Sequence, residues 1–478
     1  MPMTTMKKAR ATALATVLLA VGALPAAGQD LTRFVALGDS LAAGFVSGGL
    51  AIHPQERSVP ALVARQAGVA DFQMPLISEP GIPPLLTIAG FAGASPVIVP
   101  RSSTPGAPLN LNLPRPYNNL AVPGFDVVDV FETVTGNALI DIILRGQGPA
   151  IGQALALQPT FALVWIGNND VLGAATSGIV LEGVTLTPVP VFEDTYRTLV
   201  AAIVAGGTEV VVATLPDVTV IPFVTTLPPV LLNPQTGQPV LINGQTIPLI
   251  GPAGPLAPGD RVLLPASALL AQGIGVPAAL GGTGQPLPDN AVLSAGEVAT
   301  IQARVAAFNN VIRQAADDFG AAVADINALL NEARTGYPVG GNITVTTAFL
   351  TGGVFSYDGV HPTPLGNALA ANEFIRAIND RFGGGIPPVD LFPFVFGPDG
   401  SAGAAIELSG LGTGTPVFSA AAAEALRLSL RVPPTEELLR IKARREQPRE
   451  RPGVDEGPRE KPRDVRVDID LRGPRGRQ

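Results

Sequence analysis

The chain contains two histidines, His53 and His361, and no cysteine. Any reaction that needs an imidazole must use one of these two, and thiolate nucleophiles, thiolate metal sites and disulfides are excluded. His361 stands three residues after Asp358 in Asp358-Gly-Val-His361-Pro362. That spacing lets one tight turn deliver both a base and the carboxylate that orients it. Three further groups complement the pair: Ser40 in Gly38-Asp39-Ser40-Leu41, Gly124 in Asn119-Leu-Ala-Val-Pro-Gly124, and Asn169 in Gly167-Asn168-Asn169-Asp170. A serine hydroxyl becomes an effective nucleophile when a neighbouring base accepts its proton. The backbone N–H groups of Ser40 and Gly124 and the carboxamide of Asn169 are then candidate donors to a tetrahedral oxyanion. Gly124 carries no Cβ to obstruct an approaching oxygen. The chemistry that this set serves is acyl transfer.

These groups can meet only if the chain brings them to one rim, and the apolar pattern says how. Short apolar runs at Arg33–Leu37, Asn119–Val122, Phe161–Ile166, Glu209–Thr214 and Ala321–Ile326 read as buried strands. Helical patterns separate them. Ser294-Ala-Gly-Glu297 is a capping box, followed by apolar residues at Val298, Ile301, Val305, Phe308 and Ile312, with Gly320 as the stop. Thr363-Pro364 opens another helix, which Gly383-Gly384-Gly385 closes. Alternating strands and helices imply a parallel sheet covered on both faces, with the reactive loops at the carboxyl ends of its strands. Ser40, Gly124 and Asn169 each follow such a strand, and His361 precedes the last clear helix.

Taken in this order, the four blocks resemble the SGNH or GDSL hydrolase family, from Thr32 to about Phe382. Ser40 falls on the family's nucleophile, Gly124 and Asn169 on its oxyanion glycine and asparagine, and Asp358 with His361 on its D-x-x-H pair. The resemblance implies an α/β fold, a flavodoxin-like three-layer α/β/α sandwich with a central parallel sheet. It also implies metal-free and cofactor-free hydrolysis of esters or thioesters through an acyl-serine. Two departures stand out. Pro123 precedes the glycine of the second block, and an insertion lengthens the path to the last block.

Neighbouring residues have plainer readings. Asp39 and Asp170 read as hydrogen-bond acceptors that shape their loops, His53 as a surface or rim residue, and Trp165 as core. Nucleotide and zinc chemistry find no support, since no G-x-G-x-x-G after a strand, no P-loop and no H-E-x-x-H is present. The net charge of −8, deepening to −14 over residues 30–433, argues against a nucleic-acid partner.

The ends and insertions complete the expected organisation. Lys7, Lys8 and Arg10 precede an apolar run from Ala11 to Leu24 and then Pro25-Ala-Ala-Gly28. This describes a signal peptide over residues 1–28, hence export with no span retained after cleavage. The hydrolase domain is expected over 29–385, with proline-rich insertions at 74–116 and 227–260. These either wall the reactive site or decorate the sheet edge. Within the second, Asn243-Gly244 between short apolar runs is a hairpin signal. An apolar extension follows over 386–433. Residues 434–478 hold 13 Lys/Arg and 10 Asp/Glu in 45 residues and read as a disordered tail, either simply solvated or a polyampholyte that touches an envelope or surface polymer. The expected activity is hydrolysis of acyl, lipid-like or aryl esters. The alternatives are a carbohydrate acetyl esterase, a thioesterase, or a non-catalytic envelope or surface binder that keeps the fold.

Overall fold

Residues 29–446, apart from 94, 234–235, 341, 397–414, 430 and 432, are described by the computed structural model. The expected signal peptide and most of the charged tail lie outside the described residues. Strands Phe34–Gly38, Phe161–Trp165, Glu209–Ala213 and Ala322–Ala324 pair in parallel in that order. The first two are buried at every position, as expected for a parallel sheet with both faces covered. The Asn119–Val122 run lies along the free edge of the first strand. Ala36 N donates to Asn118 O (2.8 Å), Leu120 N to Ala36 O (2.9 Å) and Val122 N to Gly38 O (2.9 Å). It pairs with that strand through an isolated parallel bridge between Asn119 and Ala36. With this edge included, the spatial order is second, first, third, fourth, fifth, the flavodoxin-like order.

Side chains alternate between the two faces of the sheet. Phe161 and Trp165 point to one face, where their rings lie 5.6 Å from Phe382 and Phe374 of the helix Pro364–Phe382. In the other layer, the helix Ala295–Phe319 packs with Val189–Val204. Phe308 of the first stacks on Phe192 of the second, with ring centroids 3.8 Å apart. The Ser294–Glu297 capping box forms as expected, and Gly320 caps the other end. Thr363 caps the Pro364–Phe382 helix by accepting from Gly366 N.

One boundary differs from expectation. The fifth strand stops at Ala324, and Ile326 belongs to a helix, Ile326–Thr335. Asp325 is its N-cap, its carboxylate accepting from Ala328 N, so a side-chain cap ends the strand early.

The expected hairpin forms at Leu241–Ile242 and Gln245–Thr246. In the first insertion, Leu86–Ala92 and Ser95–Pro100 pair antiparallel, and Val417–Phe418 joins the latter in parallel. The extension after residue 386 therefore adds a strand to the insertion's sheet, not to the central one, and continues as the helix Ala420–Ser429. Residues 436–478 form a separate unit whose described part, 436–446, is helical. No helix among the described residues is long and apolar enough to cross a membrane.

Phe308 is fully buried and Phe192 stacks directly on it. Phe308→Ala should therefore lower unfolding free energy by roughly 3–5 kcal/mol, read as the shift of a urea unfolding curve at constant slope. A loss below about 1 kcal/mol would show that the two helices pack elsewhere.

Candidate active site

Ser40 opens the four-residue helix Ser40–Ala43 directly after the first strand. Asp39 is the N-cap, and its Oδ1 accepts from Leu41 N at 3.0 Å. Asp39 Oδ2 accepts from Asn168 Nδ2 at 2.7 Å, which ties the loop after the first strand to the loop after the third. Burial pushes the Asp39 carboxyl up to about 6, against the pull of its hydrogen bonds from Asn168 and Leu41.

His361 arrives by a closed turn. Ser356 N donates to His361 O at 2.9 Å, and Phe355 bridges Pro362. Inside the turn, Asp358 Oδ1 accepts from Val360 N (2.9 Å) and His361 N (2.8 Å), the side-chain-to-backbone pattern of an Asx turn. Asp358 Oδ2 lies 2.9 Å from His361 Nδ1. A carboxylate only accepts, so Nδ1 carries the proton and Nε2 presents its lone pair. That lone pair faces Ser40, whose hydroxyl donates to His361 Nε2 across 2.8 Å. Ser40 and His361, 321 positions apart, thus form one hydrogen-bonded line with Asp358. They are 5%, 0% and 1% exposed. Burial raises the Asp358 carboxyl, but the adjacent imidazole and the backbone N–H donors outweigh it, leaving the group below the usual carboxylate range.

Gly124 and Asn169 are half-buried, and Asn169 Nδ2 donates to the carbonyl of the residue after the glycine, Phe125 O, at 2.8 Å. A carboxamide has two N–H groups, so this bond leaves one for another acceptor. Gly124 has φ of +81°, a left-handed conformation suited to glycine. The missing Cβ also has a steric reason inside the protein. A Cβ there would lie 2.5 Å from Cδ and 2.7 Å from Cγ of Arg431, so a protein side chain already fills that space.

The secondary residues fall as read from sequence. Asp39 and Asp170 are buried acceptors, Asp170 Oδ2 taking Val127 N at 3.0 Å. Burial and the nearby Asp126 raise the Asp170 carboxyl well above its ordinary value. His53 is exposed. Trp165 is buried against Phe374, but it also borders a cavity that reaches Ser40 and His361.

That cavity, about 90 Å³ in volume, has almost entirely apolar walls. Ile326, Leu329, Leu330 and Ala333 of one helix line it together with Leu369 of another. Neither insertion contributes to its wall. The 74–116 insertion instead supports the triad from behind, where Leu86 N donates to Ser47 O at 2.7 Å and Leu50 bridges Ile82. The adjoining Gly48 N donates to Asp358 Oδ2 at 2.8 Å.

Several of these supporting residues carried no sequence signal of their own. Gly48 and Ser356, whose hydroxyl donates to Asp358 Oδ1 at 3.2 Å, lie in ordinary Ser/Gly loops. The Ile326–Ala333 wall did have one: apolar residues at i, i+3, i+4 and i+7 after an aspartate cap, the mark of a helix face. Among the described residues, no cluster of three His, Asp or Glu side chains could hold a metal ion.

A pH dependence follows from Asp39. The folded carboxyl binds its proton near pH 6 and the unfolded one near 3.8, so folding is favoured by protonation. Its stabilising contribution is full below the unfolded value and is lost as pH rises through the folded one. Asp39→Asn should therefore gain stability relative to wild type as pH rises across that window. Urea unfolding at a series of pH values checks it, and parallel profiles for the two proteins would contradict it.

Residues 34–374 match the family model described as GDSL-like lipase/acylhydrolase. No curated protein matches the chain. Among solved structures, an SGNH hydrolase from Slackia heliotrinireducens is 14% identical, with 73% of this chain and 100% of that one covered and a TM-score of 0.30. A GDSL-like lipase from Parabacteroides merdae is 14% identical over 74% and 99% of the two chains, with a TM-score of 0.32. An acetylxylan esterase from Geobacillus stearothermophilus, solved as a catalytic mutant, is 13% identical over 73% and 94%, with a TM-score of 0.33. The match to the family model spans most of the chain and all four blocks, and on that ground the protein belongs to the GDSL-like lipase/acylhydrolase family and is an esterase/lipase-type hydrolase.

Proposed function

We propose that this protein is an exported serine hydrolase that cleaves carboxylic esters with an apolar acyl group through an acyl-serine intermediate. The observation that carries the reading is the buried line from Asp358 through His361 to the Ser40 hydroxyl. As Ser40 Oγ attacks the ester carbonyl carbon, its proton passes to His361 Nε2, and Asp358 stabilises the imidazolium that forms. The carbonyl oxygen becomes an oxyanion, stabilised by the N–H groups of Ser40 and Gly124 and the second N–H of Asn169. His361 then returns the proton to the departing alkoxide, and the acyl group stays on Ser40. Water repeats the sequence from the other side, with His361 again taking a proton, and releases the carboxylic acid and free Ser40.

The substrate preference rests on the cavity. An acyl group bonded to Ser40 Oγ starts at its wall, and Ile326, Leu329, Leu330, Ala333 and Leu369 favour a hydrocarbon there. Export rests on the basic, apolar and small-residue pattern of residues 1–28.

A fluorophosphonate probe should label wild-type protein and leave Ser40→Ala unlabelled. Ser40→Ala should also lower kcat on the order of 10⁶-fold, and Asp358→Asn roughly 10⁴-fold. Across p-nitrophenyl esters, kcat/KM should rise from acetate to medium chains, and Ala333→Phe should flatten that rise while sparing acetate. Folded wild-type protein that stays unlabelled would indicate a binder. Activity confined to acetylated polysaccharide would overturn the acyl preference.

A further inference from the structure

Arg431 lies far beyond the residues that match the family model, in the extension that follows the last helix of the sheet domain. Its backbone has φ of +53°, uncommon for a residue with a Cβ, and its N–H donates to Leu428 O at 3.2 Å. The side chain turns back onto a single loop. Its aliphatic stem crosses the face of Gly124 where a Cβ would be. Nη1 donates to Gly124 O at 3.3 Å and to Asp129 Oδ2 at 2.5 Å, and the guanidinium carbon sits 5.7 Å from the centre of the Phe125 ring. The Arg431 and Asp129 side chains are 30% and 15% exposed, so the ion pair is partly shielded from water.

Two consecutive carbonyls are therefore held from different parts of the chain: Gly124 O by Arg431 and Phe125 O by Asn169. The N–H of Gly124 has no acceptor among the described residues. A glycine at positive φ can rotate its flanking peptides with little steric resistance, yet an oxyanion donor contributes only if its direction is set before the charge develops. The stem packed on Gly124 and the bond to its carbonyl oppose that rotation.

We propose that Arg431 is a positioning residue that holds the Gly124 N–H aimed at the developing oxyanion. The inference rests on the reading of Gly124 as an oxyanion donor. Arg431 has no contact with substrate and acts through the loop that it fastens. Asp129 anchors the guanidinium, and the Phe125 ring adds a cation–π contact at 5.7 Å.

The full-length chain serves for the test. Arg431→Ala should lower kcat for a p-nitrophenyl ester on the order of tenfold to a hundredfold, as a misplaced catalytic group does. KM should change by less than about twofold, because the contact matters in the transition state. The fluorophosphonate labelling rate should fall in parallel. Millimolar ethylguanidinium should restore part of the rate to Arg431→Ala and none to wild type. Arg431→Lys should recover part of the rate, since one ammonium nitrogen can donate to both Gly124 O and Asp129 as Nη1 does. Arg431→Met keeps the stem on Gly124 and removes only the guanidinium, so it carries the test if the alanine variant does not fold. An active wild type with either folded variant equally fast or faster overturns the proposal. A wild type that neither hydrolyses nor labels overturns the underlying reading of the site instead.

Discussion

A carboxylate without solvent contact stays ionised only if hydrogen-bond donors replace the water it has lost, and the arrangement around Ser40 depends on meeting that condition at Asp358. Burial alone would neutralise the group. Five donors surround it: the N–H groups of Val360, His361 and Gly48, the Ser356 hydroxyl and His361 Nδ1. Ionised Asp358 fixes the His361 tautomer, and the tautomer decides whether Nε2 can take the Ser40 proton. Gly48 belongs to a loop held by the first insertion through Ser47 and Leu50. Sequence far from the triad in chemistry thus bears directly on its charge state.

The two other buried carboxylates near the site show the contrast. Asp39 accepts a side-chain amide and one backbone N–H, and its carboxyl rises to about 6. Asp170 rises well above its ordinary value, with the charge of Asp126 adding to its burial. Asp358 differs from both in the imidazole directly against it and in its larger set of donors. Only the richly supplied one sits behind the imidazole, where a fixed negative charge is useful. The other two hold loops together, a role that a less readily ionised carboxyl can also fill.

Much of this was legible before any coordinates. The strand runs, the capping box at Ser294 and the order Ser40, Gly124, Asn169, Asp358, His361 each carry a local signature, and each element forms. What escaped was tertiary. Gly48, Ser356 and Asn168 act through a backbone N–H, a hydroxyl and an amide whose use depends on what folds against them, and no spacing rule reveals it. Arg431 is one of many arginines near the charged end of the chain until the fold lays it on Gly124. The cavity wall was missed for another reason. The Ala321–Ile326 run was read as one strand to its end, and this concealed the helix that Asp325 begins.

The separation of 321 positions between Ser40 and His361 has a consequence for the life of the polypeptide. A nascent chain emerging from the ribosome carries the Ser40 hydroxyl early and acquires the His361 imidazole only 321 positions later. Fragments left by stalled synthesis or by proteolysis ahead of residue 358 have no means of activating that hydroxyl. Reactivity is thereby deferred until synthesis has passed His361.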